Sequence, residues 1–250
     1  VRVMKSHIRI GTFEYASYFG STDDLRKLTS YSINRLYPEI KKHENPPLEL
    51  LNTVMKKQIN LAVNWMRVGF IHGVMNTDNT SISGESFDYG PCAFINSYNP
   101  ETVYSSIDYN GRYAFGNQPK IIKWNICRFA ESLLPIIHQN KGKALQHAQS
   151  YIDQFDEIWK NKYYNMMLKK IGINNNNTTL YPLIDELLFI MQKMNMDYTN
   201  TFWYLSQENT SKNQLSNHPD FMQWKKKWHH AIKINSNLKE SKYLMKKYNP

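Results

Sequence analysis

Leu51, Met55, Gln58, Ala62 and Trp65 recur at steps of four, three, four and three. That spacing lines one face of an α-helix. Asn45-Pro46-Pro47 opens the helix, because Pro is pre-set for a first helical turn and Asn caps its free amides. The pattern then stops. Residues 70–90 carry Gly, Asn, Asp and Ser at short intervals, in HGVMNTDN, SISGESF and DYGP. A long helix therefore hands over directly to a turn-rich stretch, and such stretches carry function more often than packing.

The rest of the chain predicts a mainly α fold with one small β-hairpin and loop region. Residues 2–18 alternate weakly through Ile8, Ile10 and Phe13, which suggests a strand or an irregular lead-in. Ser21-Thr22-Asp23-Asp24 reads as a helix start, a capping hydroxyl followed by acids in the first turn. Leu25, Leu28, Tyr31 and Arg35 continue it to a stop near Pro38. Ser83-Gly84 predicts a hairpin turn between Thr80-Ser81-Ile82 and Glu85-Ser86-Phe87. Residues 91–117, with Pro100, Gly111 and Gly116, read as a long irregular loop. Pro119 opens a helix whose face is Ile122, Ile126, Phe129, Leu133 and Ile136. Ile152, Phe155 and Trp159 mark another, and Leu183, Leu187 and Met191 a third, with Asn174 to Asn177 as a polar linker between those two.

Composition excludes several classes. Hydrophobic residues make up 41% of the 250, which is enough for a packed core and rules out wholesale disorder. No apolar run approaches the roughly 20 residues of a membrane span. Two cysteines exclude a disulfide scaffold and fit a reducing compartment. No basic-then-apolar leader precedes the first charged stretch. The chain starts at Val1, and it reads as a piece of something longer. The net charge of +10 invites a nucleic-acid reading. Its tightest run, Lys225-Lys226-Lys227, lies between Trp224 and Trp228, which share a helical face. That predicts a solvated amphipathic helix rather than a nucleic-acid or membrane patch.

Two motifs carry chemistry. His72 to Asn79 supplies Asp78 and Asn79, and Asp88-Tyr89-Gly90-Pro91 follows. A helix, a loop with Asp and Asn, a hairpin and an Asp-aromatic-Gly step come in the order of a protein-kinase C-lobe. There an Asn and an Asp hold the cations that bridge nucleotide phosphates. Mg²⁺ is a hard cation that takes oxygen ligands, and an Asn carbonyl with an Asp carboxylate provides two. An ordinary kinase is disfavoured, because no His-Arg-Asp precedes an Asn at kinase spacing and Asp78 adjoins Asn79.

HGVMNTDN, DYGP, GRYAFGNQP at Gly111 to Pro119 and the opening RVMKSHIRIGTFEY together resemble the selenoprotein O family. Trp124-Asn125, Asp197-Tyr198-Thr199 and Asn249-Pro250 fit as well. The resemblance implies a kinase-like fold and protein adenylylation: AMP passes from ATP to a Ser, Thr or Tyr hydroxyl and pyrophosphate leaves. Some bacterial members of the family transfer UMP from UTP with Mn²⁺. It implies Asp78 as proton acceptor, Asn79 and Asp88 as ligands of Mg²⁺ or Mn²⁺, and Asp88 also at the nucleotide. Arg2 and Arg9 match two arginines that clamp the phosphates, a task suited to guanidinium forks. Residues 1–138 then correspond to the catalytic C-lobe and 139–250 to a helical extension. The nucleotide-binding N-lobe is expected to be absent from this chain. The expected setting is the cytoplasm, or the mitochondrial matrix in a eukaryote.

Other residues read differently. His72 is expected to hold the loop by hydrogen bonds, and His229-His230 to lie on a surface helix without metal. Cys92 and Cys127 read as packed residues, with a redox role for Cys92 as the rival. Gly111-Arg112-Tyr113 orders the loop, or Arg112 meets nucleotide. The rival readings of the whole chain are a basic helical module that binds nucleic acid or a partner, and an inactive remnant of the enzyme.

Overall fold

The computed structural model describes residues 3–207 and 218–249. Arg2, one of the two expected phosphate clamps, lies outside the described residues. The first helix, α1 (Ile10–Phe19), corrects the expectation of a strand or irregular lead-in. Its alternation misleads because Tyr15, Tyr18 and Phe19 are exposed, so apolar residues occupy both faces. α2 (Thr22–Leu36) begins as expected: Ser21 Oγ accepts from the Asp24 amide at 3.1 Å, and Asp24 accepts from the Ser21 amide at 3.0 Å. α3 (Pro46–Val68) is capped by Asn45, whose Oδ1 accepts from the Leu48 amide. All five stripe residues, Leu51 to Trp65, are buried.

α3 ends at Gly69, which has φ +73°, a left-handed conformation that favours glycine. The chain then enters β1 (Phe70–Ile71), which pairs antiparallel with β2 (Ala93–Phe94), Phe70 opposite Phe94 and Ile71 opposite Ala93. This two-stranded ladder closes a loop of residues 72–92. The expected hairpin within that loop is corrected. Its turn forms, with the Gly84 amide donating to Ser81 O at 3.2 Å. The flanking residues pair elsewhere: Ser81 bridges Arg9, the Ile10 amide donates to Thr80 O, and the Ile82 amide to Ile8 O. A nonlocal partner has won over the local one.

Residues 95–117 are irregular apart from one short 3-10 turn, Phe115–Asn117. α4 (Gln118–Ile137) follows, with Ile122, Ile126, Phe129 and Leu133 buried. Phe129 meets Phe13 of α1 edge-on at 4.9 Å. The helix expected through Ile152, Phe155 and Trp159 is two helices, α5 (Lys141–Ile152) and α6 (Phe155–Lys170). Asp153 and Gln154 keep helical dihedrals at the break, so no Gly or Pro announces it. α7 (Tyr181–Lys193), α8 (Tyr198–Ser206), α9 (Pro219–Asn235) and α10 (Leu238–Tyr248) complete the described helices. Trp224 and Trp228 stack at 5.7 Å and donate to Leu183 O and Ile171 O, while Lys227 reaches Glu186 on α7. The lysine run is thus the outer face of a packed helix. One hydrophobic core runs from Ile10 to Met245. Among the described residues no helix is long and apolar enough to cross a membrane.

Candidate active site

The loop of residues 72–92 is pinned by buried side chains from three directions. At its base the His72 amide donates to Gln118 Oε1 (3.2 Å), and Gln118 Nε2 donates to Phe70 O (3.0 Å). His72 is buried, and its Nε2 lies 2.8 Å from Phe87 O across the loop. Burial pushes the imidazole below its ordinary range, and its contact with Phe87 O ties the two motifs together, as expected. From α3, Gln58 Nε2 donates to Ser81 O and Trp65 Nε1 to Ser86 Oγ.

The first motif folds into a 3-10 turn, Thr77–Asn79, capped by Asn76, whose Oδ1 accepts from the Asn79 amide at 3.0 Å. Four turn-forming residues in a row dictate this locally. Asn79 Nδ2 donates back to Val74 O at 3.0 Å, which turns Oδ1 the other way. The adjacent Asp78 is exposed and lies against Gly11 in the first turn of α1. A Cβ built on Gly11 would overlap Asp78 Oδ1. The carboxylate is thereby placed at the positive end of a ten-residue helix, where the first amides lack intrahelical partners.

In the second motif Asp88 is exposed and has φ +57°. That is a costly conformation for a residue with a side chain, and such residues gather at functional sites. Phe87, just before it, is buried, and the Arg9 guanidinium lies over its ring at 5.5 Å from the centroid. Arg9 also bridges Ser81 through its main chain. It thus joins the segment two residues beyond Asn79 to the residue before Asp88. Arg9 contacts Phe87 and Ser81 while Gly11 lies against Asp78, so the start of α1 borders both motifs.

The donor set suits a hard divalent cation. Asn79 Oδ1 and the Asp88 carboxylate are oxygen donors without a protein hydrogen-bond or ion-pair partner among the described residues. Among the described residues no group of three or more His, Cys, Asp and Glu that could hold a metal ion converges. His229 and His230 are exposed on α9. Burial pushes the Cys127 thiol up, which opposes a reactive thiolate. Arg112 lies over the Trp124 ring at 4.7 Å, and its amide donates to Asp108, so it orders the irregular loop.

Two positioning side chains and one glycine carry no role that the sequence alone announces. Gln118 and Asn125 lie on the buried face of α4, and Gly11 lies beneath Asp78. A carboxamide inside an otherwise apolar stripe was the available signal, as at Gln58.

A family model described as "Protein adenylyltransferase SelO" matches residues 1–250. "Protein nucleotidyltransferase YdiU" of Bacillus cereus is 48% identical over 250 residues, covering 100% of this chain and 51% of that protein. The protein of the same name from Bacillus thuringiensis subsp. konkukian is 47% identical over the same share of each chain. The chain spans about half the length of these curated relatives.

Proposed function

The chain belongs to the protein adenylyltransferase SelO family, and from that membership we propose that its site moves AMP from ATP onto a Ser, Thr or Tyr hydroxyl of a protein. The observation that carries the reading is the 76–79 turn. It presents an exposed carboxylate, Asp78, and an unpartnered amide oxygen, Asn79 Oδ1, from adjacent residues of one hydrogen-bonded turn. General-base and cation-holding groups are then fixed relative to each other by the same backbone.

In this reading Asp78 accepts the proton of the acceptor hydroxyl as its oxygen bonds to the α-phosphorus. The bond from that phosphorus to the bridging oxygen breaks, and pyrophosphate leaves. Asn79 and Asp88 would hold Mg²⁺ or Mn²⁺, which when bound neutralises phosphate charge. Arg9, with Arg2, clamps phosphate oxygens through charge-assisted hydrogen bonds. Residues 1–138 form the kinase-like catalytic part and 139–250 a helical extension that buttresses it. UTP replaces ATP in the variant form of the proposal. The setting is the cytoplasm, where ATP and Mg²⁺ are at hand.

The deciding experiment uses a full-length protein carrying this sequence, with ATP labelled at either the α- or the γ-phosphate. Label entering protein from the α-position alone is the expected result. Label from the γ-position alone would mean phosphorylation, and none from either would remove the transferase reading.

A further inference from the structure

Asn125 is fully buried on α4, and its Nδ2 donates twice, to Met75 O at 2.9 Å and to Thr80 Oγ1 at 2.8 Å. Met75 and Thr80 stand on either side of the 76–79 turn. A single amide group therefore brackets the turn. The bonds continue inward: Thr80 Oγ1 donates to Asn76 O at 3.0 Å, and Asn76 accepts the Asn79 amide. Asn125 Oδ1, by contrast, has no hydrogen-bond partner. A buried carboxamide oxygen without a donor is destabilising, and a leucine would fill the same space without that penalty. The orphaned oxygen is tolerated for what the two N–H bonds do.

A second carboxamide acts on the same loop. Gln118 lies seven residues earlier, on the same face of α4. It is fully buried and holds Phe70 O and the His72 amide. Gln118 thus fixes the base of the loop, and Asn125 fixes its working turn.

We propose that Asn125 is the positioning residue of this site, setting the direction of Asp78 and Asn79 through its bonds to Met75 and Thr80. The proposal rests on the reading of Asp78 as base and Asn79 as cation ligand. Asn125 touches neither, and acts through the turn. Its loss therefore leaves the Arg9 and Asp88 segment in place and misdirects the base. In the full-length enzyme Asn125→Leu should lower kcat by about tenfold or more, with the KM for ATP within about twofold of wild type.

The test reads the turn directly by amide hydrogen exchange of the 250-residue chain. In Asn125→Leu, exchange within residues 75–80 should rise about tenfold, from two lost hydrogen bonds, while α3 and α4 exchange as in wild type. Unchanged exchange across 75–80 in a folded Asn125→Leu would overturn the proposal. Should that variant fail to fold, Thr80→Val carries the test, because it removes one of the two acceptors. Thr80→Val should speed exchange in the turn, and Thr80→Ser, which keeps the hydroxyl, should restore it. Thr80→Val behaving like wild type would overturn the proposal equally. If wild-type full-length enzyme transfers no nucleotide, the functional reading fails, and the exchange data still decide whether Asn125 holds the turn.

Discussion

Asp78 Oδ1 occupies the space that a side chain on Gly11 would fill. The exposed carboxylate of the loop and the first turn of α1 are thus in van der Waals contact, and Gly11 is the only kind of residue that permits it. Gly11 needs no special backbone conformation, so the demand is purely one of room.

Gly11→Ala follows as the first prediction. Alanine improves helix propensity by up to about 1 kcal/mol, and the added methyl displaces Asp78. The melting temperature should stay close to wild type while nucleotide transfer falls at least about tenfold. Thermal unfolding and a transfer assay on the same preparation check this. Wild-type transfer in Gly11→Ala would mean that the position of Asp78 is not needed.

Asp88 gives a prediction with opposite signs for stability and binding. Its φ of +57° costs of order 1 kcal/mol that glycine does not incur. Asp88→Gly should match or exceed wild type in stability and lose Mn²⁺ binding by at least about tenfold. Mn²⁺ titration followed by paramagnetic resonance, beside a denaturant midpoint, separates the two effects. Retained Mn²⁺ affinity in Asp88→Gly would remove Asp88 from the cation site.

Much of this site was legible in the sequence, and the reasons differ by element. Ser21 and Asn45 announced α2 and α3, because a cap is a local interaction between residues three apart. Asp78, Asn79 and Asp88 stood out, because turn formers and hard oxygen donors in a row are a composition signal. The Ser83-Gly84 turn was legible, but the pairing of its neighbours was not. Ser81 lies opposite Arg9 through the Ile10–Thr80 and Ile82–Ile8 main-chain bonds, and which strand wins is settled by the packing of α1 on α4 through Phe13 and Phe129. The break between Ile152 and Phe155 left no trace, since helical dihedrals persist through it. Asn125 is legible only as part of the Trp124-Asn125 family motif, because a buried amide and a surface amide look identical in a string of letters.

The Lys170 contribution to folding stability should rise with pH between about 7 and 10.5. Burial, with the Arg67 guanidinium beside it, pushes the Lys170 ammonium from 10.5 down to about 7. Within that window the unfolded chain holds a proton that the folded chain has lost, so raising pH favours folding. Near and above pH 10 the sign turns. Burial holds Tyr37 and Tyr198 above the ordinary phenol range, so the unfolded chain gives up those protons first. Lys170→Met should flatten the rising limb. Urea midpoints across this range are the measurement. Parallel curves for the two proteins would mean that Lys170 stays charged in the fold, held by Arg67 O and the Phe202 ring.

The central claim is that Asp78 is the proton acceptor and Asn79 beside it a cation ligand. Asp78→Asn keeps the shape of the side chain and removes the base, which typically costs about 10²- to 10⁴-fold in rate. Transfer of AMP to protein and affinity for ATP are measured together on a full-length protein carrying Asp78→Asn. The account predicts transfer reduced by that factor with ATP affinity unchanged. Transfer near the wild-type rate would contradict it, and loss of transfer together with ATP binding would make Asp78 a cation ligand instead.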